Sequence, residues 1–267
     1  MARGLKGFLS SFFHPARRLL FDHLPKCAGT TVGGYLHSQY PAPAIFQIDG
    51  SQPQASVRQF REMSAAKRFR YRLICGHLAH QLLDVVTPDT LALTILREPV
   101  DRIISHYYYV RRQPTHYLHR RVMDDDIALE DYASHELSLE LSNWYTAHYS
   151  GWTIEQVNES PQAALNLAYD TVTERYDIIG FQDALPEAMA AVGLAAGLAT
   201  SFENAYLNKT AKRDRLSDVS EVARTRIADA NSLDIELYER LNALRPRSAR
   251  LRHTTKSDWS MSALSMS

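Results

Sequence analysis

The stretch RRLLFDHLPKCAGTTVGGYL, residues 17–36, decides the fold. Leu19 to Leu24 is a short apolar run interrupted by Asp22 and His23, the pattern of a core strand, and Pro25 ends any ladder because it has no N–H to donate. The small residues of Lys26-Cys27-Ala28-Gly29-Thr30-Thr31 follow. The spacing Val32, Tyr35, Leu36 then starts a helix for which Thr30 or Thr31 is the expected N-cap. Strand, tight loop and helix in this order turn several free backbone N–H groups and the positive helix end toward one point, which makes an anion site. Lys26 adds a full charge to it.

A second stretch, LALTILREPVDRIISHYYYV at residues 91–110, repeats the arrangement. Leu91 to Leu96 is apolar enough for a strand buried on both faces, and charge appears at Arg97, where burial stops. Pro99 fits the first position of the next helix, and Val100, Ile103, Ile104 and Tyr107 form its apolar stripe. Ser105 falls beside that stripe on a face shared with Asp101, Tyr108 and Arg112, so the Arg97 guanidinium and the Ser105 hydroxyl are expected to converge on one phosphate. The nucleoside triphosphate loop G-x-x-x-x-G-K-[ST] is absent, Lys26 precedes the loop glycine, and the second strand ends in Arg97 where a metal-holding Asp would be wanted. The implied ligand has two separated phosphate-like ends and no obligatory magnesium.

Strands are expected near 18–24, 44–48, 72–76, 91–97 and 176–180, with helices near 31–40, 54–67, 99–112, 128–149, 154–168, 184–198 and 217–242. This alternation predicts an α/β fold, a single-domain, P-loop-like, three-layer arrangement with a mostly parallel central sheet flanked by helices, and ligands beyond the carboxyl ends of its strands. Lys26, His77 and Arg97 each follow such an end. With 267 residues and 45% hydrophobic content the chain can bury a substantial core. We expect an N-terminal extension at 1–16, one catalytic domain at 17–246 and a loosely held tail at 247–267. A formal net charge of zero supplies no global field toward nucleic acid or anionic membranes. Leu5 to Phe13 is too short to span a bilayer, which points to a cytoplasmic protein with at most a weak interfacial helix at its start. Two cysteines make no disulfide framework; Cys27 and Cys75 read as small packing residues, with a redox pair as the alternative.

Pro25 to Thr31 and Arg97-Glu98-Pro99-Val100-Asp101-Arg102-Ile103-Ile104-Ser105-His106-Tyr107 together resemble the two nucleotide motifs of the sulfotransferases that use 3′-phosphoadenosine 5′-phosphosulfate, in particular the carbohydrate branch with the uronyl 2-O-sulfotransferases. Ile74-Cys75-Gly76-His77 is similar to that branch's turn carrying the catalytic histidine, Tyr176 to Gln182 to its late strand, and Asp234 to Tyr238 to its closing helix. The resemblance implies that Lys26, Cys27, Ala28, Gly29, Thr30 and Thr31 hold the 5′-phosphosulfate, that Arg97 and Ser105 hold the 3′-phosphate, and that Asn208, Thr210 and Lys212 close over the nucleotide. His77 and Lys26 are then the catalytic pair, with His80 in reserve and no metal required, and the acceptor is a hydroxyl, foremost on a carbohydrate or glycoconjugate. The chain departs from the branch at Cys75, where relatives carry a second histidine, and at Asn143 to His148, where they carry Gln and Arg. His106 reads as a helix-face histidine, and Trp144, Tyr145, Tyr149 and Trp152 as packing, with an acceptor platform as the alternative. Two other classes stay open: a P-loop kinase or hydrolase that needs Mg²⁺ and ATP, and a nucleotide-binding relative without turnover.

Overall fold

The computed structural model describes residues 16–199, 201–202 and 219–245. The expected N-terminal extension up to residue 15, Asn208, Thr210 and Lys212, and the 247–267 tail lie outside the described residues.

In chain order the first elements are β1 (Leu19–Asp22), α1 (Gly29–Gln39), β2 (Ile45–Gln47), α2 (Pro53–Glu62), α3 (Ala65–Arg68), β3 (Leu73–Gly76) and β4 (Leu91–Leu96). Then come α4 (Pro99–Arg112), α5 (His119–Asp124), α6 (Leu129–Tyr132), α7 (Trp144–Ser150), α8 (Ile154–Glu159) and α9 (Pro161–Arg175). The last are β5 (Ile178–Phe181), α10 (Leu185–Ala196), α11 (Glu221–Ala230) and α12 (Ser232–Ala243). The described residues fall in two compact units. One is built from the chain up to Ile95 with Tyr176–Gly180 and the segment from Ala188; the other comprises Leu96–Arg175, Phe181–Glu187 and the described residues from 219.

The fold is α/β, with a five-stranded parallel sheet, ordered β2-β3-β1-β4-β5, flanked by helices. All five expected strands form. Alternation along them sorts the faces: Leu20, Phe46 and Ile74 pack with Val57 and Phe60 of α2 and with Ala79 and Leu82. Cys75 points the other way, toward His37 of α1. Asp22 pairs with Gly76 of β3 and with Thr94 of β4, so the segments after β1 and β3 leave the sheet at one level.

The second unit is helical, with Ile103, Ile104, Tyr107 and Val110 of α4 packed on Val122, Tyr132, Leu141 and Ile227. Here the expected helices are too long. The helix expected at 128–149 is α6, a 3₁₀ turn at Leu139–Leu141 and α7; that at 154–168 is α8 and α9, which starts anew at Pro161; that at 217–242 breaks at Asn231. The breaks at Asn143 and Asn231 have one physical cause. Asn143 takes a left-handed backbone, φ 45°, and its Oδ1 accepts from the Leu233 N–H at the start of α12. Asp234 of α12 accepts in return from the Tyr145 and Thr146 N–H groups that open α7, each at 2.8 Å. Asn231 Nδ2 donates to the carbonyls of Leu141 and Ile227. Two helix starts satisfy each other's orphan donors.

Candidate active site

The anion loop sits at the carboxyl end of β1. Lys26 and Ala28 both adopt left-handed backbones, φ 66° and 61°, the alternation that folds successive N–H groups into a concave nest. Ala28 itself is the N-cap of α1, and no side chain caps the helix. The expectation of Thr30 or Thr31 in that role is thereby corrected: the helix begins at Gly29 because the left-handed turn is complete one residue earlier. Gly29, Thr30 and Thr31 thus occupy the first turn, where N–H groups have no intrahelical acceptor and are available to an anion.

Gly29 is required sterically. A Cβ there would lie 1.5 Å from Nε2 of His23, whose ring lies over the loop. His23 was read in the sequence only as an interruption of the β1 run. Its imidazole stacks on His77 with ring centroids 4.4 Å apart and on Phe21 at 5.7 Å. Burial, reinforced by His77 and Lys26 and opposed by Asp22, holds the His23 imidazole down to about 3, so it is neutral at physiological pH.

His77 follows β3 through Gly76, whose φ of 137° only glycine adopts readily and where a Cβ would meet the Ile48 Cβ at 2.7 Å. The Nδ1 of His77 lies 2.7 Å from the backbone oxygen of His23. A carbonyl only accepts, so Nδ1 carries the proton and Nε2 is left with the lone pair. His80 is turned elsewhere: its N–H donates to Oδ1 of Asp22 at 3.3 Å and its Nδ1 lies 3.7 Å from the same oxygen. Tyr176 donates to the other Asp22 oxygen at 2.8 Å, completing a buried network under the strand end.

Beside the loop a cavity of about 310 Å³ is lined by His23, Gly29, Thr30, Gly33 and Gly34, with Gln47, His37 and Cys75 forming its polar wall. The Cys75 thiol donates to Gln47 Oε1 at 3.1 Å, and His37 Nε2–H donates to the same oxygen at 2.9 Å. Burial pushes the Cys75 thiol up to about 12, so it stays protonated and acts as a donor. Cys27 and Cys75 are both free and buried.

In the second unit, Arg97 follows β4 and is buried, its Nε donating to Oδ2 of Asp101 at 2.5 Å with a terminal nitrogen equally close. The sequence placed Asp101 on the Ser105 face; its carboxylate is in fact the partner of the arginine one turn back. Pro99 opens α4 as expected, and Glu98 caps it by accepting from Val100 and Asp101 N–H groups. Ser105 is half-buried on the same helix. Tyr145 and Tyr149 are core residues, and the Arg102 guanidinium lies over the Tyr145 ring at 4.9 Å, so these two tyrosines pack the unit, while Trp144 and Trp152 are half-buried.

Among the described residues no helix is long and apolar enough to cross a membrane. A sequence model described as the sulfotransferase family matches residues 10–239, most of the chain. No curated protein matches it.

Proposed function

The chain belongs to the sulfotransferase family, and on that premise we propose that it moves the sulfuryl group of 3′-phosphoadenosine 5′-phosphosulfate to a hydroxyl of a carbohydrate or glycoconjugate, with His77 as general base, in the cytoplasm. The observation that carries this reading is the hydrogen bond from His77 Nδ1–H to the His23 carbonyl, which fixes the tautomer with a basic Nε2. That nitrogen accepts the hydroxyl proton as the oxygen bonds to sulfur and the bond from sulfur to the bridging phosphate oxygen breaks. The products are a sulfate ester and 3′,5′-adenosine bisphosphate. The N–H groups of Gly29, Thr30 and Thr31, fixed in place by the helix start before the reaction, are suited to the charge that grows on the sulfuryl and bridging oxygens, and Lys26 adds a full charge beside them.

We assign Arg97 and Ser105 to the 3′-phosphate. A phosphate there shares the guanidinium with Asp101, which holds the fork in one rotamer. The acceptor hydroxyl is best supplied by a compact polar molecule, since the cavity beside the loop is at the small end of ligand pockets and offers amide, imidazole and thiol groups. Titration calorimetry tests the donor. The reading expects 3′,5′-adenosine bisphosphate to bind in the presence of EDTA, whereas preferential, magnesium-dependent binding of ATP would replace it with a kinase or hydrolase.

A further inference from the structure

We propose that Tyr145 is a positioning residue for nucleotide recognition: its buried hydroxyl fixes the backbone of Arg97, and through it the guanidinium that takes the 3′-phosphate, without touching the ligand. This rests on the reading that Arg97 holds that phosphate. Arg97 is the first residue beyond β4, where the strand no longer dictates the backbone angles. The Tyr145 hydroxyl bridges both of its backbone groups, accepting from the Arg97 N–H at 3.3 Å and donating to the Arg97 carbonyl at 3.1 Å. One side chain does for this residue what a neighbouring strand does for those before it. The direction of an arginine side chain follows from its backbone, so a small rotation at the strand end is magnified at the far end of the guanidinium.

The tyrosine is itself held firmly. It is fully buried, its N–H donates to Oδ2 of Asp234 at 2.8 Å, and the Arg102 guanidinium lies 4.9 Å from its ring centre. Arg102 stands 3.9 Å from the same Asp234 oxygen and donates to the Glu140 carbonyl at 2.9 Å. Helix α12 thus reaches Arg97 through one carboxylate and one phenol. At the other end of the arginine the Asp101 carboxylate grips the guanidinium, so Asp101 fixes the head of the side chain and Tyr145 its root. A phenyl ring would fill the space of Tyr145, so Tyr145→Phe removes the two backbone bonds and leaves the packing. Both bonds are at the long end of the usual range, and their loss is expected to cost less than loss of the guanidinium itself.

The test takes the full-length parent, Tyr145→Phe, Arg97→Ala and the double variant, and measures binding of 3′,5′-adenosine bisphosphate and of 5′-AMP by calorimetry. Tyr145→Phe is expected to weaken the bisphosphate about three- to tenfold, to leave 5′-AMP unchanged, and to add nothing in the Arg97→Ala background. Equal loss for both nucleotides, or a further loss on top of Arg97→Ala, makes Tyr145 a purely structural residue and overturns the proposal. Unchanged bisphosphate affinity in Tyr145→Phe, while Arg97→Ala loses it, overturns the proposal and leaves the phosphate assignment standing. An Arg97→Ala protein that binds the bisphosphate as the parent does removes that assignment and the proposal with it. Should Tyr145→Phe not fold by circular dichroism, hydrogen exchange of the Arg97 amide in the nucleotide-free parent decides: protection sustains the proposal, and exchange at the rate of an open amide overturns it.

Discussion

His23 and Gly29 show how tightly the site is specified at the level of single residues. The ring occupies the space a loop side chain would need, so Gly29→Ala should weaken binding of 3′,5′-adenosine bisphosphate by tenfold or more. The double variant His23→Ala with Gly29→Ala should recover part of that loss, a coupling that calorimetry on the four proteins measures directly. The same histidine gives stability a pH dependence. Its imidazole is held near 3 in the folded protein against 6.5 unfolded, so protons bind the unfolded chain first as pH drops. Stability from this group is complete above about pH 6.5 and falls as pH is lowered toward 3. Melting temperatures across that window should fall less in His23→Phe than in the parent. Arg97→Ala should weaken the bisphosphate at least tenfold and leave 5′-AMP unchanged, since only the former carries the phosphate assigned to it. The place of His77 directly after a strand end was legible from its Gly-His turn. His23 was not, because its role is contact with a glycine and with a ring 54 residues further on, neither of which leaves a mark in local spacing.

At the scale of elements, the strands were readable because each is a short apolar run stopped by charge or proline, a pattern that burial in a parallel sheet dictates directly. Helix ends in the second unit were not. Asn143 and Asn231 look like ordinary helix residues until their partners appear, and those lie about 90 residues away in the chain. The N-cap at Ala28 was hidden for a related reason: a left-handed alanine has no sequence signature. Asn143→Gly keeps the left-handed backbone available while removing the cap on α12, so it should cost about 1 kcal/mol in chemical denaturation. Asn231→Ala should cost about 1–2 kcal/mol, because two buried carbonyls lose their donor. Since both changes loosen the same junction of α7 and α12, the double variant should lose an amount different from the sum.

For the whole molecule, composition set the class and little more: a core-forming chain of zero net charge whose ligand contacts must be local. The alternating pattern carried the α/β architecture, and the two phosphate motifs carried the family that a match over residues 10–239 establishes. The acceptor left no comparable trace, because groups that would recognise a hydroxyl come from segments far apart in the chain, as do those lining the cavity formed by β1, α1, β2 and β3. The central claim is that His77 takes the proton of that hydroxyl. Its most direct test is the rate at which radiolabelled sulfate passes from the nucleotide donor to a panel of glycan and glycoside acceptors, compared between the parent and His77→Ala. The account predicts transfer by the parent and a rate reduced by about 10²–10⁴ in the variant, with affinity for 3′,5′-adenosine bisphosphate retained. Transfer by His77→Ala at the parental rate would contradict it.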